Sequence, residues 1–189
     1  MKLYAAIILL SLALLSGCGS PIEENMSREV DPFTATNQSR EVVNLPDDLE
    51  GKYWVANHIF TQCDTVCPPM TNNMARLQQL AKEEDVEVHL VSFSVDPEYD
   101  TENRLTEFAK QFNADFDNWD FLTGYAFKDV KELSIKSFQS PLKKLEGTNQ
   151  VAHGTAFYLV TPKGKVIKSY DGTKAAEMTS IVEDLKKLQ

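Results

Sequence analysis

Apolar residues recur along this 189-residue chain in two alternating rhythms. "KYWVANHIF" (52–60) is dense in aromatic and β-branched residues and predicts a strand. Soon after it, Met70, Met74, Leu77 and Ala81 return at helical spacing and mark one apolar helix face. "VEVHLVSFSV" (86–95) is apolar on both faces toward its end, as a buried parallel strand is. Leu105, Phe108, Ala109 and Phe112 predict a second amphipathic helix. "NWDFLTG" (118–124) is a further strand ending in a turn, and Phe127, Val130 and Leu133 begin a third helix. The rhythm lapses over "QSPLKKLEGTNQ" (139–150), a polar loop with Pro and Gly. "TAFYLVTPKGKVIKSYDG" (155–172) predicts a hairpin turning at Thr161-Pro162-Lys163-Gly164, and Met178, Ile181, Val182, Leu185 and Leu188 stripe a closing helix. Ahead of all of these, "FTATN" and "REVVNL" predict a short hairpin pair. Strands alternating with helices and closing on a hairpin and a helix imply an α/β architecture, a central mixed sheet flanked by helices, with an N-terminal β-hairpin added.

The ends change the picture next. After Lys2, residues 3–15 are almost unbroken apolar sequence, too short for the ~20 residues a bilayer core demands. That length suits the apolar region of a signal peptide. Leu15-Ser16-Gly17-Cys18 follows and resembles the lipobox of bacterial lipoproteins, where cleavage precedes a cysteine that receives lipid. The expected organisation is a signal peptide over 1–17, a lipid-anchored flexible linker over 18–32 ("GSPIEENMSREVDP" is polar and aperiodic) and one folded domain over 33–189. The domain is thereby expected on the extracytoplasmic face of a bacterial membrane, anchored through Cys18, where disulfides persist. The net charge of −9 argues against nucleic acid as a partner, and against a basic patch as the means of membrane attachment.

With Cys18 assigned to lipid, Cys63 and Cys67 are the remaining thiols of the three cysteines. They stand in "FTQCDTVCPPMTNNM" (60–74), where Pro68 and Pro69 fit the first turn of a helix. Cys67 is therefore expected at a helix N-terminus and Cys63 on the loop before it, with the helix dipole favouring thiolate. A strand running into a cysteine pair at a helix start is the thioredoxin-like plan. Three residues separate the sulfurs where a thioredoxin-type reductase has two. That spacing permits a disulfide and equally lets both sulfurs reach one ion. A purely structural disulfide would close a small ring and stabilise little. A peroxiredoxin would carry Pro and Thr where Ala56 and Phe60 stand.

Soft thiolates joined by an imidazole suit copper or zinc. Of the three histidines, His58 and His89 lie inside strands and read as packed residues. His153, in "QVAHGTAFYLV", stands at the end of the polar loop just before a strand, where thioredoxin-like reductases place a cis-proline beside the cysteines. No proline occurs between Pro141 and Pro162, so a histidine supplies a ligand where a redox enzyme would have its proline.

These residues resemble the Sco, or SenC, family of copper proteins. The likeness rests on Cys63-Asp64-Thr65-Val66-Cys67-Pro68, on "SVDPEYDT" (94–101) with Asp96, and on the distant His153, and extends through "FDNWDFLTG" and "FYLVTPKGKV". The resemblance implies a thioredoxin-like fold binding copper, as Cu(I) or Cu(II), through Cys63, Cys67 and His153. It implies a role in assembling the binuclear copper centre of cytochrome c oxidase subunit II, as copper donor, thiol reductant or both, with other copper chaperones or thiol reductases as further partners. Asp96 matches a family carboxylate near the site, there to steer a ligand or partner, or else to cap the following helix. The alternative is an extracytoplasmic thiol–disulfide oxidoreductase whose Cys63–Cys67 disulfide acts on partner cysteines without copper delivery.

Overall fold

The computed structural model describes residues 20–63 and 65–189; the expected signal peptide and Cys18 lie outside the described residues. A six-stranded sheet runs in the order β1–β10–β9–β4–β5–β6. Its strands are β1 (Arg28–Glu29), β4 (Trp54–Ile59), β5 (His89–Ser94), β6 (Trp119–Leu122), β9 (Ala156–Val160) and β10 (Lys165–Asp171). β4, β5 and β6 are parallel, while β9 runs antiparallel to β4 and β10, so the sheet is mixed. Among the described residues four helices flank it: α1 (Cys67–Glu83), α2 (Glu102–Gln111), α3 (Phe127–Phe138) and α4 (Ala175–Leu188). This is the thioredoxin-like α/β fold that the sequence predicts.

The alternation in β4 explains the layering. Val55 and Ile59 point to one face, where they meet Met70, Met74 and Leu77 of α1 and Ile181 and Leu185 of α4. Trp54, Ala56 and Phe60 point to the other, against Val130, Leu133 and Phe138 of α3. Each large side chain taken fully from water contributes roughly 1.5–3 kcal/mol, so the helical stripe of α1 is a principal source of stability. The predicted N-terminal hairpin is β2 (Phe33–Thr36) with β3 (Val42–Leu45), paired from Phe33↔Leu45 to Thr36↔Val42. Its tip protects the sheet edge. Gln38 donates its side-chain amide to the Trp119 carbonyl and accepts from the Phe121 N–H, which occupies the outer hydrogen-bonding groups of β6.

Two segments depart from expectation. The linker assigned to 18–32 is part of the fold from Ile22 on: Ile22 and Val30 are buried, and β1 pairs Arg28↔Val166 and Glu29↔Lys165. Two well-placed apolar residues and backbone pairing suffice to hold a stretch that composition alone makes look solvated. The polar loop over 139–150 supplies β7 (Lys143–Lys144), which pairs with β8 (Val151–Ala152) just ahead of His153. Among the described residues no helix is long and apolar enough to cross a membrane.

Candidate metal centre

β4 delivers the chain at Phe60 to the carboxyl end of the sheet, where it turns, Cys63 N–H donating to the Phe60 carbonyl at 3.2 Å. α1 then starts at Cys67. Its first turn is short of donors, because Pro68 and Pro69 have no N–H and Met70 N–H already reaches the Val66 carbonyl at 3.1 Å. That leaves the Cys67 N–H, which donates to Cys63 Sγ at 3.4 Å. Cys63 is thus the cap of a helix that has no oxygen cap. The two prolines concentrate the positive end of α1 on a single amide aimed at that sulfur.

The sulfurs share one proton unequally. The Cys67 thiol hydrogen-bonds to Cys63, and together with the Cys67 N–H and Thr65 it lowers the Cys63 thiol from 9.0 to about 4, against the opposing effect of burial. The Cys67 thiol is pushed far up, first by that same hydrogen bond and then by burial. Both effects favour the negative charge on Cys63 and the proton on Cys67. Cys63 also lines an open groove of about 340 Å³ with Tyr99, Arg104 and Phe108, whereas Cys67 has no exposed surface. An incoming ion or sulfur meets Cys63 first.

His153 reaches the same corner from the other side of the sheet end. Its Nδ1–H donates to the Gly154 carbonyl at 2.8 Å, because a carbonyl can only accept. The proton is then on Nδ1, and Nε2 turns a lone pair to Cys67 Sγ, 3.5 Å away. The edge-on ring of Phe60, 5.8 Å between centroids, restricts the imidazole, and Gln150 donates to the Gln62 carbonyl at 3.3 Å, joining the histidine loop to the cysteine loop. An ion with bonds of the length zinc makes to sulfur and nitrogen would set those two atoms about 3.5–3.8 Å apart, so this spacing fits a shared metal. Two soft sulfurs and one imidazole are a donor set for copper or zinc. Among the described residues no three His, Cys, Asp or Glu side chains already converge on one point. Cys63 is turned to the helix amide, and closing the third corner requires it to swing.

These features meet the family pattern over nearly the whole chain, and residues 22–189 match the sequence model of SCO1/SenC. The chain belongs to the SCO1/SenC family. Among solved Sco structures, a SCO1/SenC family lipoprotein from Bacillus anthracis str. Ames is 44% identical with a TM-score of 0.82, over 88% of this chain and 99% of that one. BsSco, described as a member of the Sco family of cytochrome c oxidase assembly proteins with a disulfide switch, is 46% identical with a TM-score of 0.80, over 87% and 95%. Copper-bound ScoI of Arabidopsis thaliana is 25% identical with a TM-score of 0.71, over 83% and 98%.

In this Sco chain Cys67 therefore lies between its two neighbours, its Sγ against His153 Nε2 and its N–H on Cys63 Sγ, and Asp96 does not join them. Asp96 N–H donates to Ser94 Oγ at 3.1 Å, and its carboxylate makes no hydrogen bond among the described residues. It does not cap α2 either; Thr101 does, accepting the Arg104 N–H at 3.4 Å. His58 and His89 are structural, as read from the sequence. His58 is buried with Ser134 Oγ at 2.6 Å, and His89 pairs with Asp120 at 2.8 Å. Sequence reasoning missed Asp100, whose carboxylate accepts the Thr61 hydroxyl at 2.5 Å two residues before Cys63. The signal was present: Asp100 stands four residues after Asp96 within the same "DPEYDT" segment.

Proposed function

We propose that this Sco chain carries copper on Cys63, Cys67 and His153 Nε2 and serves the assembly of the binuclear copper centre in subunit II of cytochrome c oxidase, with copper as cargo. The observation that carries the reading is the His153 lone pair held against Cys67 Sγ at 3.5 Å, with the opposite ring nitrogen tied to the Gly154 carbonyl. A histidine merely packed beside a thiol has no need of that lock; a ligand does, because the second ring nitrogen's partner sets which nitrogen faces the metal. The protein's own part is binding and release. Two thiolates balance the charge of Cu(II) and leave Cu(I) with one net negative charge. Oxidising Cys63 and Cys67 to a disulfide removes both anionic donors and with them the affinity.

A second reading has an observation of its own. The Cys63 thiolate faces an open groove, which suits exchange with a partner's disulfide and makes the chain a thiol reductant for the same target. Attachment to the extracytoplasmic face of a bacterial membrane through Cys18 accompanies either reading, and the lipoprotein relative from Bacillus anthracis supports it.

Copper titration of the reduced chain from residue 20 onward, beside His153→Ala and a disulfide-oxidised sample, separates the two. Bound metal and thiolate-to-Cu(II) charge-transfer absorption are the readouts. One-to-one binding that falls at least 100-fold in His153→Ala and vanishes on oxidation is the expected result; the figure is at the upper end of what losing even an outer partner of a ligand costs, about 10–100-fold. Binding indifferent to His153 would leave only thiol exchange.

A further inference from the structure

Asp100 is a carboxylate with no exposed surface and, among the described residues, no cation among its hydrogen-bond partners. Burial works against its charge and holds the carboxyl above its usual range, against the pull of the donors that surround it. Its two oxygens accept the Thr61 N–H at 3.2 and 3.3 Å, the Thr61 hydroxyl at 2.5 Å and the Ser94 hydroxyl at 2.6 Å. Its own carbonyl accepts the Thr123 hydroxyl at 2.7 Å. One residue thereby ties together the carboxyl ends of three adjacent parallel strands, Thr61 following β4, Ser94 ending β5 and Thr123 following β6. Hydrogen bonds to an ionised acceptor are roughly twice as strong as neutral ones, which accounts for a carboxylate where an amide would have the same shape.

Thr61, two residues before Cys63, is held through both its N–H and its hydroxyl, and Cys63 must swing from there to share an ion with Cys67. We propose that Asp100 is the positioning residue of the cysteine loop: by clamping Thr61 to the end of β5, it fixes the hinge from which Cys63 is presented to Cys67 and to metal. Asp100 is no ligand itself, since its oxygens are enclosed and already engaged. The proposal rests on the reading of Cys63 and Cys67 as the working pair, and its test needs no copper.

The test is the equilibrium of the full chain, metal-free, with glutathione: the protein dithiol and glutathione disulfide give the protein disulfide and two reduced glutathiones. Thiols held in place have a high effective concentration, and releasing Thr61 lowers it. Asp100→Ala should move the equilibrium toward the dithiol by about tenfold, or about 30 mV. Asp100→Asn, which keeps the shape without the charge, should move it less, and Thr61→Val, which keeps the backbone contact, by a few-fold. Asp184→Asn is the control. That carboxylate is held by Lys168 and Tyr170 between β10 and α4, so its loss should lower the melting temperature and leave the equilibrium alone. A folded Asp100→Ala with a wild-type equilibrium would overturn the proposal, as would an equal shift in Asp184→Asn. Should Asp100→Ala fail to fold, Thr61→Val decides by the same criterion. A wild-type chain that exchanges with glutathione yet ignores copper would sink the copper reading and leave the hinge standing.

Discussion

The two faces of the sheet are filled differently. On the face covered by α1 and α4, Val55, Ile59, Leu90 and Leu159 meet Met70, Met74, Leu77, Ile181 and Leu185, and the helices pack on each other. The opposite face, under α3 and the β2–β3 hairpin, also buries large side chains, but it includes Cys63 and Cys67 at one end. It is also where β4 directs His58, bonded to Ser134, while His58 Nδ1 and Trp54 Nε1 have no partner among the described residues. An unpaired buried polar atom costs about 1–3 kcal/mol, and the first face carries one as well, Asn57 Nδ2 between Val55 and Ile59, so the faces differ in their chemistry rather than in freedom from such costs. One face is aliphatic side chains and methionine packed between sheet and two helices; the other is a core of its own that takes in both sulfurs at its end.

Breaking the first face should have the largest effect. Leu77→Ala removes a fully buried side chain and should destabilise the chain by about 2–5 kcal/mol in denaturant unfolding, with the glutathione equilibrium of Cys63 and Cys67 unchanged. A redox shift in that variant would mean that the two faces are coupled. On the second face, Ser134→Ala leaves both nitrogens of His58 unpartnered and should cost about 1–3 kcal/mol.

His58 itself sharpens the contrast through pH. Burial, with the nearby His153 charge, lowers it from 6.5 to about 3. It stays neutral in the fold where the unfolded chain takes a proton. The stability linked to it is therefore present above about pH 6.5 and lost as pH falls from there toward 3, at up to about 1.4 kcal/mol per pH unit. His58→Leu should flatten that limb of a stability-against-pH curve, and an unchanged slope would assign the acid sensitivity to other groups.

Much of this was legible from the chain. The stripe from Met70 to Ala81 gave α1, the proline pair gave its start at Cys67, and the lapse in apolar rhythm before His153 marked the loop that returns beside the cysteines. What escaped depends on contacts between segments far apart. Ile22 and Val30 are two isolated apolar residues in polar sequence, and only the free edge of β10 gives β1 a partner. Asp96 and Asp100 are alike as letters. Which one turns inward is decided by the turn over 96–100, in which the Asp100 N–H returns to the Asp96 carbonyl at 2.9 Å and the second carboxylate falls beneath the strand ends. Strand limits shifted too: "VEVHLVSFSV" pairs only over His89–Ser94, because β4 and β6 are available just there.

The early burial of Ile22 shortens a leash. With Cys18 as the lipid attachment proposed above, only four residues of advance separate the anchor from the first buried side chain, a reach of at most about 14 Å. A domain held that close cannot sample the depth of the surrounding compartment. It sweeps a thin shell over the bilayer, and any partner must offer its own site within that shell. Lengthening the leash with a Gly-Ser insertion after Cys18 would change how often the two meet while leaving every bond in the domain as it is.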